Sequence, residues 1–234
     1  MAQLLGILEM GDADWQASRT AHEQKQIEEL MCFLIVGFML SLRGEEIPLT
    51  DLEGIVSYWA DGRDATIWNL PRQFMITLKG RFKGEDNLRW HLMPIPDDTA
   101  SLVPTRVWMS RLVYRLIQSG RHSGPLFAKR SGAKATIGDY DPLFRTYLSR
   151  LRALRGGLFF KEVDIADFSA RRSLRRGSTQ HATNQGVSQQ VIDEANRWRK
   201  KEAARGSEAY LPLRQVYTSV RHVLPTRIRY PQSL

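Results

Sequence analysis

Leu30-Met31-Cys32-Phe33-Leu34-Ile35-Val36-Gly37-Phe38-Met39-Leu40 is the longest apolar run in this 234-residue chain. It is well short of a membrane span and follows the acidic pair Glu28-Glu29, so it reads as a buried core helix. Ahead of it, Thr20-x-x-Glu23 has the pattern of a capping box, and the apolar periodicity continues over residues 27–42. Together they predict a helix from about 21 to 42. The single cysteine, Cys32, lies inside the run, which excludes an internal disulfide and suits a reducing compartment. No signal-peptide pattern opens the chain. Residues 1–20 carry no decisive period and read as an N-terminal extension or short linker.

Beyond residue 54 the pattern changes to short apolar and aromatic stretches: 55–59, 65–68, 74–78 and 88–93. These are strand-like, and the last two flank the turn-rich Lys79-Gly80-Arg81-Phe82-Lys83-Gly84-Glu85-Asp86-Asn87. A small antiparallel sheet with a basic hairpin loop follows. The helical period then returns. Met109, Leu112, Val113 and Leu116 share one face, with Gly120 as the stop and a Gly/Lys/Arg-rich loop over 120–138. Phe144, Tyr147, Leu148 and Leu151 mark another helix, halted near Gly156-Gly157, and further helices are expected over 168–185, 188–201 and roughly 211–222. The fold class is mainly α with a small antiparallel β-sheet, an α+β arrangement. There is no internal repeat and no linker that would split residues 21–234 into two domains.

Apolar residues make up 42% of the chain and charged residues 25%, so disorder, collagen and coiled coil are excluded. The net charge of +9 is unevenly spread: residues 145–234 hold 18 Lys/Arg against 7 Asp/Glu, leaving the first 144 residues slightly acidic. A polyanion-facing surface therefore belongs to the last two fifths.

Common enzyme signatures are missing. There is no Walker loop, no G-x-G-x-x-G, no H-E-x-x-H and no Cys/His cluster with zinc spacing. What is plentiful is arginine beside hydroxyl residues near helix starts, the combination that holds phosphodiester oxygens through bidentate guanidinium forks. Three segments line up in order: Ser41-Leu42-Arg43-Gly44-Glu45-Glu46-Ile47; Gly80-Arg81-Phe82-Lys83-Gly84; and a series running from Arg172-Ser173-Leu174-Arg175-Arg176-Gly177-Ser178-Thr179 through Gly186-Val187 and Asn196-Arg197-Trp198 to Arg214-Gln215-Val216-Tyr217-Thr218.

Together these resemble the catalytic domain of the tyrosine recombinases, or phage-type integrases, over roughly residues 21–222. The resemblance implies that Arg43 and Arg175 clamp a phosphate, that Glu46 buttresses Arg43, that Lys83 protonates the leaving 5′ oxygen, that Trp198 fills the family's His/Trp position, and that Tyr217 is the nucleophile. It further implies DNA cleavage and rejoining through a 3′-phosphotyrosine without metal or cofactor, double-stranded DNA as partner, and a homo-tetramer on paired sites. The tail from Val220 would then dock on a neighbour or fold back on its own domain. The setting would be intracellular, where DNA is, with no membrane attachment.

Where the family has histidine, three residues before the second arginine, this chain has Arg172, which cannot accept a proton at physiological pH. It can donate to the phosphate or lower the phenol pKa by proximity. His181 and His222 are alternative bases, Tyr210 is a rival nucleophile and Lys79 rivals Lys83. No room ahead of residue 21 is left for the helical domain that usually completes the grip on DNA. A non-catalytic DNA-binding protein of the same fold, and a relaxing enzyme of topoisomerase type, are the alternative functions. Each residue also has a plainer reading: Arg43 as a cation at a helix C-terminus, Arg172, Arg175 and Arg176 as a solvated basic face, Lys83 as hairpin solubilisation, and Trp198 and Tyr217 as core aromatics.

Overall fold

Helix α2 (Ala21–Met39) is apolar on every side from Leu30 to Phe38, and a helix without a polar face has to be surrounded. The computed structural model describes residues 1–53, 55, 74–78, 91–95, 102–129, 131–159 and 164–196, and α2 runs through the middle of them. Its start is the expected capping box: the Glu23 N–H donates to Thr20 Oγ1 and the Thr20 N–H to Glu23 Oε2, both at 3.1 Å.

Four of the described helices pack on it. Residues 1–20, expected to be an extension or short linker, contain helix α1 (Ala2–Ala17), whose Leu4, Ile7 and Leu8 enter the common core. Glycines allow its close approach: a Cβ on Gly11 would lie 2.7 Å from Met31 Sδ, and one on Gly6 the same distance from Leu151 Cδ1. Helix α3 (Thr105–Gln118) buries Trp108, Met109, Leu112, Val113 and Leu116, the face predicted from the period. Helix α4 (Ile137–Leu154) buries Phe144, Tyr147, Leu148 and Leu151, and its Tyr140 stacks on Phe33 with ring centroids 4.6 Å apart. Helix α5 (Ser173–Asn184) sits over the end of α2, and the short α6 (Gln189–Ala195) follows it.

The sheet is antiparallel with order β1 (Thr50–Asp51), β2 (Phe74–Leu78), β3 (His91–Ile95). Leu78 faces His91 and Phe74 faces Ile95, so the basic 79–90 segment joins two paired strands as expected. Pro94 has no N–H to donate, which suits β3's place at an end of the strand order. The expected strand near 65–68 falls outside the described residues, as does that near 55–59 apart from Ile55, which is helical like Leu52 and Glu53 rather than extended. On its other side β1 is stitched to the loop after α3: the Leu52 N–H donates to the Gly124 carbonyl and the Leu126 N–H to the Thr50 carbonyl, each at 2.8 Å. The architecture is mainly helical with one small antiparallel sheet. Among the described residues no helix is long and apolar enough to cross a membrane.

Candidate phosphate-clamping site

The site begins where α2 stops. The predicted helix ran to about 42; it ends at Met39 because Ser41 turns into the left-handed region, φ +50°. The Leu42 N–H then reaches back to the Gly37 carbonyl (3.0 Å) and the Ser41 N–H to the Phe38 carbonyl (3.2 Å), a Schellman end with serine at the left-handed position. That conformation costs a non-glycine residue roughly 1–2 kcal/mol. The Ser41 hydroxyl offsets part of it by donating to Asn196 Oδ1 at 2.7 Å.

Arg43 emerges from this turn. Its N–H donates to Glu46 Oε2 at 2.8 Å, and its Nη1 stands 3.8 Å from Glu46 Oε1. Glu46 is 4% exposed. Gly44 meets the turn that starts α5, donating its N–H to the Arg171 carbonyl at 3.1 Å. That turn is held from α4, where Asp141 Oδ1 accepts the Ala170 N–H at 2.6 Å. Exposed Arg171 pairs with exposed Glu45 across the same junction.

Arg175 lies on the first turn of α5. Its Nη1 is 3.8 Å from Glu46 Oε2, and its Nη2 donates to the backbone carbonyl of Asn196. Arg43 and Arg175 therefore meet at one carboxylate. The Arg175 side chain is 11% exposed and that of Arg43 31%, so Arg43 reaches solvent more than Arg175 does. Within this trio two guanidinium charges face one carboxylate, and the excess positive charge favours an anion such as a phosphodiester.

Arg172 is exposed at the residue capping α5. His181 does not join this site. It shares a face of α5 with Gly177, packed toward Phe38 at 6.0 Å between centroids, and successive side chains two residues apart on a helix diverge by about 200°. Arg175 and Thr179 occupy the other face. Burial pushes the His181 pKa down to about 4, with the amino-terminal ammonium of the chain adding to the effect. Lys83, Trp198 and Tyr217 lie outside the described residues, as do Lys79, Tyr210 and His222. Among the described residues no three His, Cys, Asp or Glu side chains gather as a metal site requires.

Two participants carried no role in the sequence reading. Asn196, 2% exposed, accepts from Ser41 and donates through Nδ2 to Thr179 Oγ1 at 3.1 Å and to the Ile192 carbonyl at 2.8 Å. Gly44 is the other. The Arg43-Gly44 step was the available signal, since glycine beside a site arginine marks a close backbone approach.

No family model and no curated protein sequence matches this chain. Among solved structures, the XerH site-specific recombinase bound to its palindromic difH substrate in a post-cleavage complex is similar over 93% of this chain and 48% of its own, with TM-score 0.53 and 14% identity. The fold is similar to that of tyrosine recombinase catalytic domains. The Tn1549 transposon integrase in complex with circular intermediate DNA is 15% identical over 83% of this chain and 59% of its own, TM-score 0.40. In complex with transposon right end DNA the figures are 13%, 92%, 63% and 0.41. This chain thus spans about half the length of the XerH chain and roughly three fifths of the integrase.

Proposed function

We propose that this protein cleaves and rejoins DNA strands as a tyrosine recombinase, through a 3′-phosphotyrosine at Tyr217. The observation that carries the reading is the meeting of Arg43 and Arg175 at the Glu46 carboxylate, each 3.8 Å away, from opposite ends of the described chain. In the reaction the two guanidinium groups hold the non-bridging oxygens of the scissile phosphate, where negative charge builds, each such donor contributing on the order of 3 kcal/mol. Tyr217 Oη bonds to phosphorus as the bond from phosphorus to the 5′ oxygen breaks. The phenolic proton passes to water, and Lys83 supplies a proton to the departing 5′ oxygen, leaving a free hydroxyl. Attack by a 5′ hydroxyl on the phosphotyrosine reverses the exchange and reseals a strand. Arg172 adds a third cation next to the phosphate and lowers the phenol pKa by proximity, and Trp198 takes the family's His/Trp position. Double-stranded DNA is the partner, and the working assembly is a homo-tetramer on paired sites. Residues 21–234 form the catalytic unit.

A second reading, a DNA-binding protein of the same fold without efficient chemistry, is favoured by Arg172, an exposed cation unable to take the proton that histidine takes in the family. Trapping on a nicked duplex separates the two. The enzyme gives a covalent adduct that Tyr217→Phe abolishes, whereas a binding module gives salt-sensitive retention and no adduct. An adduct that survives in Tyr217→Phe and vanishes in Tyr210→Phe moves the nucleophile. Supercoil relaxation without exchange between sites marks a relaxing enzyme.

A further inference from the structure

Among the described residues three helices end in the same hydrogen-bonded turn. After α3, the Arg121 N–H bonds to Leu116 and the Gly120 N–H to Ile117; after α5, the Val187 N–H bonds to Ala182 and the Gly186 N–H to Thr183. In both, the left-handed position is glycine, Gly120 at φ +80° and Gly186 at φ +72°. After α2 the same two bonds form, but the left-handed residue is Ser41. Backbone preference alone selects glycine there. What serine adds is a hydroxyl, and that hydroxyl has a buried partner: it donates to Asn196 Oδ1 at 2.7 Å.

Asn196 is saturated. Its Oδ1 accepts from Ser41 and, at 3.3 Å, from Thr179 Oγ1; both Nδ2 hydrogens are used, on Thr179 and on the Ile192 carbonyl. Its main chain is thereby fixed to α5 and α6, and its own carbonyl accepts the Arg175 guanidinium. One residue touches the turn that launches Arg43 with its side chain and the Arg175 guanidinium with its backbone. A buried, fully paired polar network specifies one arrangement where an apolar contact would allow several.

We propose that Asn196 is a positioning residue that sets Arg43 and Arg175 relative to each other, and that the hydroxyl of Ser41, at a position suited to glycine, couples the Arg43 turn to Asn196. The proposal rests on the reading that these arginines hold one phosphodiester. A few tenths of an ångström of misplacement in such a clamp weakens the transition state more than the bound substrate.

Ser41→Gly isolates the effect, because it removes the hydroxyl while relieving the left-handed backbone. The variant should melt at or above the wild-type temperature and bind a nicked duplex with nearly unchanged affinity. It should nonetheless form the covalent adduct about 10-fold more slowly in single turnover. Asn196→Ala should slow it at least as much, and the double variant should be no slower than Asn196→Ala, since both remove one coupling. A readout independent of chemistry is the nitrogen-detected NMR signal of the two guanidinium groups, which should move toward that of mobile arginine for both Arg43 and Arg175 in Ser41→Gly. Wild-type adduct rates in Ser41→Gly, or an unmoved Arg175 signal, overturn the proposal. If wild type forms no adduct while both signals move, the strand-exchange reading fails and the positioning role stands.

Discussion

Gly44 lies flat against the backbone of Arg171: a Cβ there would come 2.5 Å from the Arg171 Cα and 2.9 Å from the Ala170 carbonyl oxygen. Backbone atoms cannot swing aside as a side-chain tip does. Gly44→Ala should therefore push the Arg43 segment off α5, costing roughly 1–3 kcal/mol in urea unfolding and separating the arginines. Gly177→Ala is the control. Its nearest neighbour is Phe38 Cε2 at 3.4 Å, and alanine within a helix gains up to about 1 kcal/mol over glycine. Equal melting of the two variants would refute this account of Gly44.

Glu46 serves both arginines and also accepts the Arg43 N–H. Glu46→Gln keeps an acceptor for that N–H but removes the carboxylate charge that Arg43 and Arg175 share. Adduct formation should fall at least about 10-fold while the fold persists, a loss on the order of 1.4 kcal/mol in transition-state stabilisation. Single-turnover trapping at two salt concentrations is the measurement, and the loss should shrink at higher salt, where repulsion is screened.

Away from the site, Glu28 is 1% exposed and receives Arg115 Nε at 2.6 Å, Arg115 Nη2 at 2.8 Å and Trp15 Nε1 at 2.7 Å. Arg115→Leu strands a buried carboxylate and should cost about 3–5 kcal/mol. Glu28→Leu combined with Arg115→Leu should recover much of that loss, because no orphaned charge remains. Thermal melting of the single and double variants gives the answer.

His181 has a folded pKa near 4 against an ordinary value of 6.5, held down first by burial. Between those values the unfolded chain takes up a proton that the folded chain refuses. Its contribution is complete above pH 6.5 and drains away as pH falls toward 4. Urea midpoints recorded across that window should decline with acidity in wild type and decline less in His181→Gln. An identical slope in both would show that the imidazole is not the group responsible.

Periodicity exposed the helices that bury a single stripe or a whole circumference: α2 from its unbroken apolar run, α3 from Met109 to Leu116, α4 from Phe144 to Leu151. Strand alternation and a turn-rich basic stretch were enough to pair β2 with β3. Helix α1 was illegible because its apolar residues are interspersed with Gly6 and Gly11, which look like breakers in a sequence and act as contact surfaces once Leu151 and Met31 are in place. The length of α2 was overread because Ser41 and Leu42 continue a helical pattern, while the left-handed turn at Ser41 depends on Asn196, a partner far along the chain. For the site, residue types in order were sufficient to nominate Arg43, Glu46 and Arg175. The link between them through Asn196 was hidden, since an asparagine two residues before a tryptophan carries no pattern of its own.

The stitching of Thr50 and Leu52 to residues 124–126 has a consequence for assembly. The outer rim of β1 has already spent these hydrogen-bonding groups on its own chain, so a second molecule cannot extend the sheet there by strand addition.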